Sequence, residues 1–377
     1  MIYADNNATS PIDPYVLEEM LPFLQDDFFN PSSPYTPARK SALAIAKARR
    51  RVAQLVDACE DEVVFTSGGT ESNTWAIRLA REWNPNRNHW ICSAVEHASV
   101  LEALNALEAE GHRITRIPVD KSGHLDLDVL EQAMTPDTAL ISVMMANNET
   151  GIIHPVREVA KMASARGIPI HTDASQAIGR VAVSFRSLGV DLMTCCAHKM
   201  HGPKGIGAIL IRAGRRCAPM LHGGGQENGR RAGTENVPAI VGFGAAAERA
   251  RGGMASELRD IVEKGIKKLL PDALLVGEHA QRLPNTSLFL IPGLDTDVLL
   301  AALDMAGVCA SSGSACASGS SEPSHVLRAM GLLDGSKAAA VRVSWGRLNQ
   351  VGEAKELVET LSRTVMEILA HERGPRS

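Results

Sequence analysis

No run of apolar residues in this chain is long enough to cross a bilayer, so no membrane span is expected. Positive charge is not in excess. The 39 lysines and arginines face 43 aspartates and glutamates, for a formal net charge of -4. Direct nucleic-acid binding therefore gets no support. The opening, Met1-Ile2-Tyr3-Ala4-Asp5-Asn6-Asn7, has neither a basic segment nor an apolar one, so no secretory leader is expected. The 7 cysteines are an odd number scattered along a large chain. They read as free thiols in a reducing compartment, not as a disulfide framework. There is no internal repeat, and residues 311–321 form the only low-complexity patch. What remains is ordinary for a globular chain: 45% hydrophobic and 22% charged residues, over 377 positions that allow a large core and two domains. These bounds describe a cytoplasmic α/β enzyme.

The pattern begins with a short strand over residues 2–9, which breaks into a polar turn. A helix at 15–24, a Pro- and Ser-rich loop at 30–37 and a helix at 38–56 with a solvated basic face follow. Seven strand-like runs come next, at 63–66, 89–94, 113–119, 140–145, 168–172, 190–194 and 208–212. Helical patterns at 71–83, 98–110, 127–134 and 155–166 lie between them. Such alternation predicts a mostly parallel seven-stranded sheet with helices on both faces. A Gly-rich stretch at 223–234 leads to a long helix at 237–270, with Gly252-Gly253 as a candidate break. Beyond it the pattern is α+β, with strands at 287–291, 308–310 and 341–345 and helices at 297–305, 324–330 and 353–370. The expected division is a large domain of residues 15–255. A small domain is built from 1–14 and 256–377.

In parallel sheets, ligands sit at the carboxyl ends of the strands. Ser67-Gly68-Gly69-Thr70 ends one strand and opens a helix, which suits either a phosphate or a plain helix cap. No Gly-Lys-Ser/Thr follows, so this is not a nucleoside triphosphate loop, and residues 202–207 lack the setting of a dinucleotide fingerprint. Glu96-His97 follows another strand; His97 can cap, lie in the core or stack on a planar ring. Asn147-Asn148 can form a turn or donate to an oxygen. Asp173 can cap a helix or keep a pyridine nitrogen protonated, with Gln176 three residues on. Lys199 sits in Cys195-Cys196-Ala197-His198-Lys199, between two buried strands. Burial penalises the ammonium form and suits a lysine to aldehyde chemistry, that of pyridoxal phosphate above all. Zinc at Cys195, Cys196, His198 and His201 is disfavoured, because one strand-end turn does not converge them tetrahedrally.

Taken in order, these motifs resemble those of the NifS/IscS-type cysteine desulfurases, enzymes of the class-V aminotransferase family with the fold-type I, pyridoxal phosphate-dependent architecture. The resemblance covers nearly the whole chain. It rests on Asp5-Asn6-Asn7-Ala8-Thr9, Thr66-Ser67-Gly68-Gly69-Thr70-Glu71-Ser72-Asn73, Glu96-His97, Asn147-Asn148-Glu149-Thr150-Gly151 and Asp173-Ala174-Ser175-Gln176. To these it adds His198-Lys199, Gly202-Pro203-Lys204-Gly205, Arg231-Ala232-Gly233-Thr234, Ser311-Ser312-Gly313-Ser314-Ala315-Cys316 and Glu322-Pro323-Ser324-His325.

The resemblance implies that Lys199 holds the cofactor covalently, Asp173 meets the pyridine nitrogen, Gln176 the ring oxygen, and His97 the ring face. Thr70 and His198 bind the phosphate, with Gly69 in the same turn. Thr234 matches a threonine that reaches the phosphate of the other subunit, implying a homodimer with shared sites. Asn148 and Arg342 hold the substrate carboxylate, a role that an arginine fork suits on chemistry alone. One departure is Cys196, where the family commonly has serine, and a thiol is the poorer phosphate donor.

Cys316 lies in a Ser-rich stretch that buries little apolar surface and is expected to be a mobile loop. Beside a cofactor-bearing lysine, its thiol is the expected acceptor of sulfur from L-cysteine, leaving L-alanine and a persulfide. His97 is the expected acid/base for the thiols. An iron–sulfur scaffold or another sulfur carrier is the expected downstream partner. No resident metal is expected, although the Cys316 persulfide can serve as a transient iron–sulfur ligand. A selenocysteine lyase or aminotransferase of the same fold, and a non-enzymatic scaffold of a sulfur-transfer complex, are the alternatives. The pathway served is left open.

Overall fold

The computed structural model describes residues 1–313, 324–333 and 337–372. Its strands are β1 (Ile2–Tyr3), β2 (Val63–Thr66), β3 (His89–Ser93), β4 (Arg113–Ile117), β5 (Thr138–Ser142), β6 (Ile170–Asp173), β7 (Leu192–Cys196), β8 (Gly207–Ile211), β9 (Leu274–Leu275), β10 (Thr286–Pro292), β11 (Val308–Cys309) and β12 (Ala338–Ser344). Its helices are α1 (Pro14–Gln25), α2 (Thr36–Leu55), α3 (Gly69–Trp83), α4 (Ala98–Ala109), α5 (Leu127–Ala133), α6 (Val156–Ala165), α7 (Phe185–Leu188), α8 (Val237–Arg249), α9 (Glu257–Leu269), α10 (Thr296–Met305), α11 (His325–Ala329) and α12 (Val351–Glu372).

Seven strands form one sheet in the order β2-β8-β7-β6-β5-β3-β4. All neighbours are parallel except β8, which runs against both β2 and β7. Every residue of β2, β3 and β5 to β8 is buried, as a sheet covered on both faces requires. β4, at the edge, is only partly buried, with Arg113 and Arg116 exposed. Gly207 starts β8 where an added Cβ would stand 2.8 Å from the Gly68 backbone, so only glycine lets β8 pass beneath that turn.

Local chemistry sets the helix starts. Asp13, Asp126, Asn236 and Asp295 accept from backbone N–H groups in the first turns of α1, α5, α8 and α10. The apolar pattern over 237–270 is interrupted. α8 ends at Arg249 and α9 begins at Glu257, with Gly253 at φ 66° in the break. The candidate break at Gly252-Gly253 is therefore real, and one expected helix is two.

A second core draws on both ends of the chain. Ile2 and Ala4 pack with Val262, Phe289, Leu299, Val341 and Leu361. Here β12, β10 and β9 form an antiparallel sheet, and β1 pairs in parallel with β11. The segment after β1 joins this core to the large sheet. Asn7 donates to Asn148 O at 3.0 Å and to Thr286 Oγ1 at 2.9 Å, and Ser10 Oγ donates to His198 O at 2.7 Å. Among the described residues no helix is long and apolar enough to cross a membrane.

Candidate active site

The carboxyl ends of the parallel strands open onto a cavity of about 490 Å³. Each strand delivers a side chain to it because the chain turns sharply once the ladder ends. β7 runs into a single 3₁₀ turn, Ala197–Lys199, which places Lys199 in the cavity wall. Lys199 is half-buried, and its Nζ donates to Asn7 O at 2.5 Å and Ala8 O at 2.6 Å. β6 ends in Asp173, whose Oδ2 accepts from Asn73 Nδ2 at 2.8 Å and whose Oδ1 accepts from the Ser175 N–H at 2.9 Å. Gln176, on the turn after β6, donates to Asn7 O at 3.1 Å.

His97 both caps α4 and lines the cavity. Its Nδ1 accepts from the Ser99 N–H at 3.1 Å. A neutral ring therefore carries its proton on Nε2. The cap role and a place on the cavity wall therefore coexist.

At the other end of the cavity, α3 begins at Gly69 with Gly68 as its cap residue and no side-chain cap. Its first-turn N–H groups are thus left for a ligand. Gly69, Thr70 and His198 also line an adjoining hollow of about 350 Å³. Burial, then Lys199, Lys204 and Arg180, push His198 down to about 4, so its ring is neutral near pH 7. Cys196 is buried in the same wall, and burial raises its thiol.

Arg342, on β12, is 1% exposed and so is not a surface residue. Its Nη2 pairs with Asp5 Oδ1 at 2.6 Å, while Nη1 donates to Asn148 O at 2.9 Å and Gly313 O at 3.0 Å. Its Nε is buried without a partner. Asn148 lines the cavity beside it. Thr234 is exposed and does not line this chain's own cavity. Cys316 lies outside the described residues, but the chain on either side of it is placed. Gly313 lines the cavity, with φ 101°, and a Cβ there would press tightly on Glu149 Oε2 at 3.1 Å. Ser324 Oγ donates to Glu149 Oε2 at 2.5 Å.

Several residues to which the sequence assigned no role line the cavity or bond to residues that do. Asn73 orients Asp173, and Asn7 receives Lys199. Glu149 and His325 stand at the rim, and burial raises the Glu149 carboxyl. Glu96 is fully buried, accepts from the Met144 N–H at 2.6 Å and from Ser93 Oγ at 3.0 Å, and is pushed up to about 8 by burial. Most of these sit inside the quoted motifs, and their position there was the one signal available. Arg180 had none: it is a lone arginine beyond the last motif residue of its turn.

These residues fit pyridoxal phosphate. The Asp173 carboxylate forms no ion pair among the described residues, as a pyridinium partner requires. Ser175 Oγ is buried with no nitrogen or oxygen partner beside the uncapped start of α3. The orphan Nε–H of Arg342 remains for a carboxylate.

The aminotransferase class-V family model matches residues 2–357. The chain belongs to this family, among the cysteine desulfurases of NifS and IscS type. A cysteine desulfurase from Cereibacter sphaeroides is 45% identical over 374 residues, covering 98% of this chain and 97% of that protein. The solved structure of a NifS-like protein superposes with a TM-score of 0.90 at 34% identity, covering 97% of this chain and 99% of the other. SspA, solved in complex with cysteine, has a TM-score of 0.82 at 33% identity, covering 91% and 98%. Members of this family depend on pyridoxal phosphate.

Proposed function

We propose that this chain is a cysteine desulfurase that transfers the sulfur of L-cysteine to its own Cys316. The Cys316 thiol and L-cysteine become a Cys316 persulfide and L-alanine, so atoms and protons balance. The observation that carries this reading is the meeting of Lys199, Asp173 and Arg342 in one cavity with Gly313, three residues before Cys316.

Lys199 would hold the cofactor aldehyde, Asp173 its pyridine nitrogen, Gln176 its ring oxygen and His97 its ring face. Gly69, Thr70, Cys196 and His198 would hold its phosphate. Bound pyridoxal phosphate supplies an electron sink that weakens the bonds at the α-carbon of an amino acid. Arg342 and Asn148 hold the substrate carboxylate, the arginine through the Nε–H that has no partner in the free chain. Lys199 would move the α-proton, its nitrogen held by the Asn7 and Ala8 carbonyls. The Cys316 thiolate attacks the substrate sulfur. His97 exchanges protons with the thiols through Nε2, because Ser99 holds Nδ1.

An exposed Thr234 supports a homodimer in which it serves the other subunit's cofactor. The NifS and IscS relatives support an iron–sulfur scaffold or another sulfur carrier as the acceptor. The test is alanine and sulfide release from L-cysteine in the presence of a thiol reductant. Release by the native chain, lost in a Cys316→Ala variant that stays yellow, is the expected result. Equal release by both would overturn the role of Cys316 and favour a lyase or aminotransferase.

A further inference from the structure

Arg180 is a buried cation with no ion pair among the described residues. It follows Gln176 by four residues in the turn after β6 and is 3% exposed. Its Nη1 donates to Gln176 O at 2.8 Å and to Gln176 Oε1, and its Nη2 to Asn6 O at 3.3 Å and Lys199 O at 3.4 Å. All four acceptors are neutral. The charged group that bears most on it after Cys196 is Arg342, which repels it. Burial pushes the guanidinium down to about 9, yet it stays protonated near pH 7. Taking such a charge out of water without a partner is strongly unfavourable, so the fold holds it in place against a cost.

The charge lies directly behind residues of the cavity wall. Gln176 and Lys199, to which Arg180 donates, both line it. Its charge reaches Cys196, His198, His201 and Arg342, and of these four His201 is off the cavity wall. The missing anion is therefore expected from the occupant of the cavity. Its bond to Gln176 Oε1 also fixes which end of that amide is the acceptor and leaves Nε2–H as the donor.

We infer that Arg180 is a positioning residue for the cofactor: a fixed positive charge that aims the Gln176 amide and balances the negative charge of the pyridoxal phosphate. This inference rests on the proposed occupancy of the cavity by that cofactor. A positive charge there favours the anionic ring oxygen and disfavours a proton on the neighbouring lysine-linked nitrogen.

The experiment follows the visible absorption of holoprotein, reconstituted with pyridoxal phosphate, as a function of pH. Removing the charge in Arg180→Gln is expected to raise the midpoint of the absorption change by about one unit or more, a roughly tenfold shift in proton affinity. Gln176→Glu sets a carboxylate against the intact guanidinium and is expected to shift the midpoint the same way, which covers a failure of Arg180→Gln to fold. Arg180→Lys keeps the charge and is expected to titrate close to the native protein. Native midpoints in both Arg180→Gln and Gln176→Glu would overturn the inference. So would an Arg180→Lys shift as large as that of Arg180→Gln. A native protein that takes up pyridoxal phosphate with no visible band would overturn the cofactor reading itself, which keeps the two failures apart.

Discussion

Replacing His154 with leucine is expected to remove about 2 kcal/mol from the pH dependence of stability between pH 7.5 and 5. His154 follows the bridge between Ala146 and Ile153, behind the cavity wall, and is 4% exposed. Both of its ring nitrogens are buried without a partner. Burial first, then the charge of His124, pushes the ring down to about 4. The unfolded chain returns it to about 6.5. At pH 5 the unfolded imidazole is almost fully protonated and the folded one almost neutral. The imbalance is about 1.5 pH units of proton binding, at roughly 1.4 kcal/mol per unit. At pH 7.5 neither state binds the proton and the cost vanishes. The sign follows: the unfolded state holds more protons between pH 4 and 6.5, so stability falls as the solution is acidified. His171 is also pushed to about 4, but it is present in both proteins and cancels in the difference. Urea unfolding of the native chain and His154→Leu at the two pH values is the assay. The native chain should lose about 2 kcal/mol more than the variant. Parallel losses would refute the assignment of a neutral, unpartnered imidazole at this position.

Arg342→Lys should raise KM for L-cysteine about 10- to 100-fold with a smaller change in kcat, since a point charge replaces a fork worth roughly 1.5–3 kcal/mol in charged hydrogen bonds; steady-state kinetics check this, and an unchanged KM would remove Arg342 from substrate binding. Cys196→Ser should tighten pyridoxal phosphate binding by several-fold, about 1 kcal/mol, as a hydroxyl replaces a weak donor; fluorescence titration of the apo-protein measures it. Glu96→Gln should keep the fold, because burial holds this carboxyl up to about 8 and the native group is largely protonated near pH 7. A raised carboxyl loses stability as pH climbs from its unfolded value through the folded one, so thermal unfolding should show the native chain weakening relative to the variant from pH 5 to 8.

The sheet was legible because its strands are short runs flanked by turn residues and set apart by helical periods, and six of the seven are buried along their whole length. The reversal of β8 was not, because the direction of a fully buried strand leaves no mark on its composition. The strand-end rule then found Asp173, Lys199, His97 and Asn148 before any fold was known, and all four line one cavity. Arg342 was legible by type alone, since its burial depends on β12 pairing with β10, more than fifty residues earlier in the chain. Arg180 was invisible. Its isolation from carboxylates is a property of three segments, around Asn6, Gln176 and Lys199, that meet only in the folded chain. β9, two residues long, offers too few positions for any pattern.

The central claim is that sulfur leaves L-cysteine onto Cys316. The most direct measurement mixes the holoprotein with L-cysteine without reductant, quenches, digests and weighs the peptide that contains Cys316. That peptide should gain the mass of one sulfur atom, in step with one alanine released per site. Alanine release with the added sulfur on another cysteine, or on none, would contradict the account.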